Sequence, residues 1–322
     1  MSNTKFKLIY DPESSSVFNN KGLSLYKLGK YDEAIAFFDK SIQKDPKNCQ
    51  TFKYKGEALS KLKKYNDAIE TFKRAIDCNK LDSDSHFEIG IIMFENKQYE
   101  ESIIEYDTAI EIQKDPQKLA KIHCCKADSL FKLMRYEEAA EFYARSIRDE
   151  PSDGYSHKKR GICLYKIKMY EEAIECFDQA VRMSPSCCEA LNHKGLALNE
   201  LGRFEEAAKI FNRACSINPN YPTVFNNKGL NMEDLGDFKG AIKCYEKAIE
   251  IDPEDSTFHF NRGLALEVVN ELEEAIKSYE QVIKLNSSDT QAYKYKKNCL
   301  IKLRNREKML ELAREFTKSE RE

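Results

Sequence analysis

Long apolar segments are absent from this sequence. No apolar run approaches the roughly 20 residues that a membrane-spanning helix needs, and the stretch from Met1 to Tyr10 has no apolar core of signal-peptide length. We therefore expect a chain that is not inserted in a membrane and that stays in the cytoplasm, with the nucleus as the alternative.

An excess of charge of either sign is also lacking. The 52 basic and 54 acidic residues give a net charge of -2, which disfavours a nucleic acid or an anionic membrane as the partner of the whole chain. Arginine is scarce, with 13 residues against 39 lysines, and arginine is the side chain that binds phosphate in a bidentate way. The composition therefore predicts no nucleic-acid binding.

Catalytic and metal-binding motifs are missing as well. The eleven cysteines include no C-x-x-C pair, which argues against zinc-ribbon and thioredoxin-type sites. The sequence has no G-x-S-x-G or H-E-x-x-H motif and no dinucleotide-binding glycine run. We expect no catalytic residues, no metal site and no cofactor, and we do not expect an enzyme.

What the sequence does contain is a repeat. One small residue recurs every 34 residues, except for one interval of 37, at Gly22, Gly56, Gly90, Ala127, Gly161, Gly195, Gly229 and Gly263. Counting within each repeat from Ser15 puts this residue at place 8. Periods of 20 to 50 residues are typical of solenoids, in which each repeat buries its apolar face against its neighbours.

Three further places recur with helical spacing. Place 20 is alanine in seven repeats, place 24 is phenylalanine or tyrosine in all eight, and place 27 is alanine, serine or valine. Separations of four and seven residues put these side chains on one face of a helix. Gly29 and Gly202 each stand shortly before an acidic pair, as expected where one helix ends and the next begins. Each repeat is therefore predicted to be two helices joined by a tight turn.

With an aromatic residue at place 17 and a proline closing several repeats, the sequence resembles the tetratricopeptide repeat family. The resemblance implies an all-α fold, a right-handed superhelical solenoid of antiparallel helix pairs. We predict an N-terminal arm at residues 1–14 and eight repeats within residues 15–288, bounded as 15–48, 49–82, 83–119, 120–153, 154–187, 188–221, 222–255 and 256–289. Residues 289–322 lose the signature, for example at Lys297 and Met309, and are predicted to form C-terminal capping helices.

The resemblance also implies where a ligand would bind. In this family the first helix of each repeat lines a concave groove with places 2, 5, 6, 9, 12 and 13. The clamp that grips the C-terminal carboxylate of chaperones needs asparagine at place 9, and none is there. A ladder of asparagines at place 6 holds extended peptides, and only Asn20, Asn227 and Asn261 match it, whereas His193 occupies the same place in another repeat.

Charge along the predicted groove changes sign after the fifth repeat. The middle is basic and carries two aromatic side chains, at Lys121, Phe131, Lys158, Lys159, Tyr165 and Lys166. The end is acidic, at Glu200, Glu233, Asp234 and Glu267. Two interpretations stay open, namely a solvated face whose charges are segregated by accident and a polarised groove that fixes the direction of a bound chain.

The predicted function is a protein-interaction scaffold or adaptor that holds an extended or helical partner segment in its groove. Three alternatives remain: a rigid structural component of a larger assembly, a chaperone cofactor, and a non-catalytic subunit of an enzyme complex. The expected partner is a protein or peptide segment within a multiprotein complex, and we expect neither nucleic-acid binding nor membrane insertion.

Overall fold

A computed structural model describes residues 14–319 of the chain, and their side chains as far as residue 310. The predicted N-terminal arm lies outside the described residues, except for Ser14. Within the described range the chain forms seventeen α-helices and no β-strand, which confirms the all-α prediction. None of the helices in this range is long and apolar enough to cross a bilayer.

Sixteen of these helices form eight successive pairs. The first helices of the pairs are α1 (Ser15–Lys27), α3 (Cys49–Lys61), α5 (Ser83–Glu95), α7 (Pro116–Lys132), α9 (Gly154–Lys166), α11 (Cys188–Glu200), α13 (Pro222–Asp234) and α15 (Ser256–Val268). The second helices are α2 (Tyr31–Lys44), α4 (Tyr65–Cys78), α6 (Tyr99–Ile112), α8 (Tyr136–Asp149), α10 (Tyr170–Met183), α12 (Phe204–Ile217), α14 (Phe238–Ile251) and α16 (Leu272–Leu285). A last helix, α17 (Thr290–Ser319), follows the eighth pair.

The chain divides into two compact parts inside α9. We call Met1–Cys163 the N-terminal unit and Leu164–Glu322 the C-terminal unit. In both units second helices pack against the first helix of their own repeat and against that of the next one, for example α2 against α1 and α3, and α12 against α11 and α13.

The turn inside every pair contains one residue with positive φ, always at place 15. Gly29, Gly202 and Gly236 have φ of 76°, 69° and 79°. The same backbone conformation is forced on five residues that carry a side chain, Lys63, Lys97, Met134, Lys168 and Asn270. In the first turn Lys30 N donates to Leu25 O at 3.0 Å, which closes the first helix in the manner typical of a left-handed C-terminal residue.

Close approach of the two helices in a pair explains the small residues of the repeat. A Cβ atom added at Gly195 would lie 2.5 Å from Cζ of Phe211, the place-24 aromatic residue of the same repeat. Ala207, Phe211 and Ala214 are all fully buried in this contact. Glycine at place 8 of this repeat therefore makes room for the ring, and the largest residue found at place 8 in the eight repeats is Ala127 of the fourth.

Lysine often stands at place 7, where the family usually has leucine, and the structure gives a reason. The ammonium group bonds to a carboxylate at place 25 of the preceding repeat, as in Lys55–Asp39 at 2.6 Å and Lys194–Asp178 at 2.5 Å. Lys126–Asp107 and Arg262–Glu246 occupy the same two places at other joints. These ion pairs connect consecutive repeats within each unit.

The three extra residues before the fourth repeat become helix. The Asp115 carboxylate accepts hydrogen bonds from Gln117 N and Lys118 N, at 2.9 and 3.4 Å, and Pro116 occupies the first helical position. Proline is well suited to that position because its missing N–H would have no helical partner there. As a result α7 has 17 residues where the other first helices have 13.

The end of the described chain differs from the prediction. Residues 289–322 were expected to form capping helices, but a single 30-residue helix, α17, spans almost all of this segment. Arg304 holds place 15 in the ninth repeat frame, and it stays helical where the eight repeats have a residue with positive φ. Because the chain does not turn at Arg304, the helix continues.

Candidate peptide-binding face

The first helices form a shared face in each unit. In the N-terminal unit α1 contacts α3, α3 contacts α5, and α5 contacts α7, and in the C-terminal unit α11 contacts α13. The groove places predicted from the family lie on these helices. We call the surface they form the first-helix face.

Cationic and aromatic side chains meet on this face in the N-terminal unit. The Nζ atom of Lys159 lies 4.6 Å from the ring centroid of Phe131 and 5.6 Å from that of Tyr155. Lys158 Nζ lies 5.4 Å from the centroid of Tyr155. We call Phe131, Tyr155, Lys158 and Lys159 the Lys159 patch; three of them were predicted from the sequence, and Tyr155 was missed although it occupies groove place 2.

The carboxylate of Asp128, which contacts Tyr155 of the patch, already accepts two hydrogen bonds. Asp128 Oδ1 accepts hydrogen bonds from the hydroxyls of Tyr143, at 2.5 Å, and Tyr155, at 2.9 Å. Burial, followed by the charge of Asp128, raises the pKa of both tyrosines, so their hydroxyls remain donors at any physiological pH. These bonds fix the ring of Tyr155 and satisfy Asp128 without the help of a lysine.

A cavity of about 230 Å³ opens on the same face between α3, α5 and α7. Asp84 accepts from Lys53 at 2.9 Å and from Lys118 at 2.8 Å, so these charges compensate one another. Burial raises the pKa of Glu57 and of Glu88, which also line the cavity. Lys121 lies at its rim with Nζ 5.3 Å from the ring centroid of Phe87.

Three predicted residues of the C-terminal unit, Tyr165, His193 and Glu200, also lie close to one another. Tyr165 and Tyr170 direct their hydroxyls to the two carboxylate oxygens of Glu200, at 3.5 and 3.4 Å. Burial and the charge of Glu200 raise the pKa of Tyr165 to about 12. The ring of His193 stacks on Phe177 at 5.9 Å between centroids and lies 6.2 Å from that of Tyr165.

The predicted acidic residues differ in how accessible they are. Asp234 is exposed, and burial and the charge of Glu200 raise its pKa. Glu233 accepts from the Tyr245 hydroxyl at 2.9 Å. Glu267 bonds to Lys302 at 2.7 Å, and this bond outweighs the effect of burial and lowers the pKa of Glu267. A basic ligand would therefore meet Asp234 more directly than Glu267.

The asparagines predicted as a ladder bond to one another. Asn261 Nδ2 donates to Asn226 Oδ1 at 2.8 Å, Asn226 Nδ2 donates to Asn227 Oδ1 at 3.4 Å, and Asn227 Nδ2 donates to Asn192 Oδ1 at 2.8 Å. Asn192 and Asn226 were missed, because both stand at place 5 and the prediction considered only place 6. Asn227 is buried in this chain of amides, which joins three consecutive repeats of the C-terminal unit.

Two predicted residues stand apart from these groups. Asn20 is exposed on α1, where its carbonyl oxygen accepts from the Ser24 hydroxyl at 3.0 Å. Lys166 is exposed at the end of α9. Among the described residues no three His, Cys, Asp or Glu side chains are grouped in a way that could hold a metal ion.

Comparison with solved structures identifies similar folds. YrrB, described as a TPR protein with an unusual peptide-binding site, is 22% identical with a TM-score of 0.53, over 63% of this chain and 99% of that one. The C-terminal part of a TPR repeat-containing protein from Cytophaga hutchinsonii is 15% identical with a TM-score of 0.63, over 76% and 98%. A chain of an APC/C hetero-tetramer is 15% identical with a TM-score of 0.54, over 91% and 57%.

Family models match most of the sequence. Tetratricopeptide repeat models match residues 15–48, 55–118, 126–186, 169–222 and 256–289, and a TPR repeat model matches residues 234–267. No protein with a curated description matches the sequence. The repeat register, the helix pairs and these matches lead to one conclusion: the chain belongs to the tetratricopeptide repeat family.

Proposed function

We propose that this chain is an adaptor that holds an acidic segment of a partner protein on the Lys159 patch. As a tetratricopeptide repeat protein it is, in general terms, a protein-interaction scaffold. The observation that carries the finer proposal is the position of Lys159, whose ammonium group lies 4.6 and 5.6 Å from the centroids of two aromatic rings.

The electrostatics of the patch favour an anionic ligand. Lys159 makes no ion pair with any carboxylate among residues 14–310, and the neighbouring Asp128 is occupied by two tyrosine hydroxyls. Cation–π contacts hold the ammonium group in place without neutralising it. A ligand carboxylate can therefore bind Lys159 while apolar ligand atoms contact Phe131 and Tyr155. Such charge pairs speed association and fix register, and they weaken with salt.

A peptide ligand is consistent with the known capacity of the fold. YrrB, which shares it, is described as having a peptide-binding site. We place the adaptor in the cytoplasm, because its eleven cysteines are free thiols, as is usual in a reducing compartment. Cell fractionation tests this location, and recovery in an oxidising compartment would contradict it.

A peptide-display selection against the full chain tests the binding proposal. We expect the selected peptides to be enriched in aspartate and glutamate and to lose at least about tenfold in affinity, or about 1.4 kcal/mol, on Lys159→Glu. Lys73→Glu is the matched control, because it makes the same charge change at an exposed position on the second helix α4. Undiminished binding to the Lys159→Glu variant would exclude the patch and favour a rigid structural component instead.

A further inference from the structure

The last helix, α17, begins as the first helix of a ninth repeat. Ala292 and Cys299, at places 3 and 10, are fully buried, and a residue at place 10 packs in the same way in the other repeats, as Ala197 does. Lys296 at place 7 bonds to Glu280 at place 25 of the eighth repeat, at 2.8 Å. The joint between α16 and α17 thus reproduces the joints between complete repeats.

The neighbouring face of α17 is uncovered. In the eight complete repeats, the side chains at places 4 and 11 of the first helix are buried or half-buried: Phe52 is 7% exposed, and Leu59 and Leu198 are 5% and 1% exposed. The equivalent Tyr293 and Leu300 are 51% and 47% exposed. A helix that covers this face in complete repeats is therefore missing from the ninth.

Within the residues that the structure describes, the chain does not supply that helix. The turn residue with positive φ is replaced by a helical Arg304, so α17 runs straight on to Ser319. The glycine of place 8 is replaced by Lys297, which is exposed. Place 8 holds only glycine or, in the fourth repeat, Ala127, and a Cβ atom at Gly195 would already lie 2.5 Å from Phe211. The longer side chain of Lys297 would therefore crowd an aromatic residue at place 24 of a covering helix.

We propose that the open face of α17, formed by Tyr293, Lys297, Leu300 and Arg304, docks an acidic amphipathic helix of a partner protein. The docked helix completes the ninth repeat in trans, with a carboxylate opposite Lys297 and apolar side chains against Tyr293 and Leu300. This surface lies in the C-terminal unit, whereas the Lys159 patch belongs to the N-terminal unit, and it does not depend on the function proposed above.

The positive charges of Lys297 and Arg304 favour an acidic helix as the ligand of the open face of α17. Lys297 and Arg304 make no ion pair with another described side chain, so both remain available to a ligand. Most second helices of this chain carry acidic residues in their first turn, as α10 does with Glu171 and Glu172, so an acidic helix resembles what covers this face elsewhere. A second copy of α17 would bring Lys297 and Arg304 against like charges, which disfavours self-association through this face.

A synthetic helix provides the probe. It carries the sequence of α10, Tyr170–Met183, with Cys176→Ser to prevent oxidation and Phe177→Glu to place a carboxylate at the position that meets Lys297. Binding of the labelled peptide to the full chain is measured by fluorescence anisotropy. We expect it to bind about tenfold more tightly than the same peptide with Phe177 retained.

Variants of the chain locate the contact. Lys297→Glu and Leu300→Glu are each expected to weaken peptide binding at least about tenfold. Lys294→Glu, an equal charge change at an exposed position of the same helix, leaves binding unchanged. A Phe177→Lys peptide restores binding to the Lys297→Glu chain. Circular dichroism melting curves confirm that the variants stay folded, as the substituted side chains are exposed.

Three results overturn the proposal. One is equal affinity of the peptide for the unmodified chain and for both variants. Another is equal binding of a peptide with the same composition in scrambled order, which would indicate attraction by net charge alone. The third is failure of the peptide to bind while phosphatidylserine vesicles bind in a Lys297-dependent way, which would make the face a lipid-binding surface.

Discussion

Lys55 Nζ lies 2.6 Å from Asp39 Oδ1 and so bonds the first helix of the second repeat to the second helix of the first. The two residues are 16 positions apart, and so are Lys194 and Asp178 in the C-terminal unit. The lysine side chain is largely buried in both pairs, and the carboxylate is largely exposed. The stem of the lysine therefore packs between the repeats while its charge finds a partner at their edge.

Reversing one partner of such a pair should weaken the joint. We expect Asp178→Lys to lower the free energy of unfolding by about 1 kcal/mol, since it sets two cations against each other. The double variant Asp178→Lys with Lys194→Asp should recover most of that loss. Urea unfolding of the four proteins gives the coupling energy, and additive effects of the two single changes would show that the pair contributes nothing.

The strained turns offer a stabilising change. Lys97 has a φ of 64°, a conformation that costs a residue with a Cβ about 1 kcal/mol relative to glycine. Lys97→Gly should therefore raise the midpoint of thermal unfolding. The reverse change, Gly202→Lys, should lower it, and nothing lies within 4 Å of an added Cβ at Gly202, so only backbone strain would act there. If both changes shift the midpoint in the same direction, strain is not the cause.

Gly195→Ala tests the close approach of the paired helices. Alanine gains about 1 kcal/mol in helix propensity over glycine, but the new Cβ would lie 2.5 Å from Phe211 and overpacking costs about 1–3 kcal/mol. We expect a net loss of stability, measured by chemical unfolding. Adding Phe211→Leu should remove the collision, so a double variant less stable than both single variants would contradict this explanation.

Glu57 should make stability depend on pH. Burial and the nearby charge of Glu88 raise its pKa in the folded state, so folding is opposed when Glu57 ionises. The penalty is present at neutral pH and disappears as the pH falls below the pKa of the unfolded chain, near 4. Glu57→Gln should therefore raise the thermal midpoint at pH 7 and change it little at pH 4.

Glu138 provides the control of opposite sign. Its bond to Arg135 lowers its pKa, so its ionised form favours the folded state. Glu138→Gln should lower the thermal midpoint slightly at pH 7 and have no effect at low pH. If both substitutions shift the thermal midpoint in the same direction at pH 7, the local environment does not determine how these two carboxyl groups affect stability.

Most of the fold could be predicted because the repeat encodes it many times over. Places 8, 20, 24 and 27 pack two helices together in every pair, and the period sets the order of those pairs. The repeat register locates the turns at Lys63, Lys97 and Met134. Their positive φ could not be predicted, because glycine is the residue type that usually indicates this conformation in a sequence. The continuous course of α17 was missed because the repeat register places a turn at Arg304, and the sequence there does not show that this turn is lost.

The candidate site was predictable only in part. The register assigns Phe131 and Lys159 to groove places of neighbouring first helices, and the Nζ atom of Lys159 lies 4.6 Å from the ring centroid of Phe131. The hydrogen-bond and ion-pair partners of the site residues could not be predicted from single positions. The bonds between Glu267 and Lys302 and between Asn227 and Asn192 join residues more than thirty positions apart. Charge segregation along a helix face thus predicts which side chains lie near one another. It does not predict which of them already have a hydrogen-bond or ion-pair partner within the chain.

The ion pairs between repeats also constrain the order in which repeats can follow one another. Place 25 carries Asp39 in the first repeat but Lys73 in the second, and the latter is followed by the apolar Ile89 at place 7 of the third. Removing the third repeat would set Lys73 against Lys126, two like charges at a joint that elsewhere holds opposite ones. The repeats are therefore not interchangeable modules, because at several joints a charge at place 25 is matched by the opposite charge at place 7 of the next repeat.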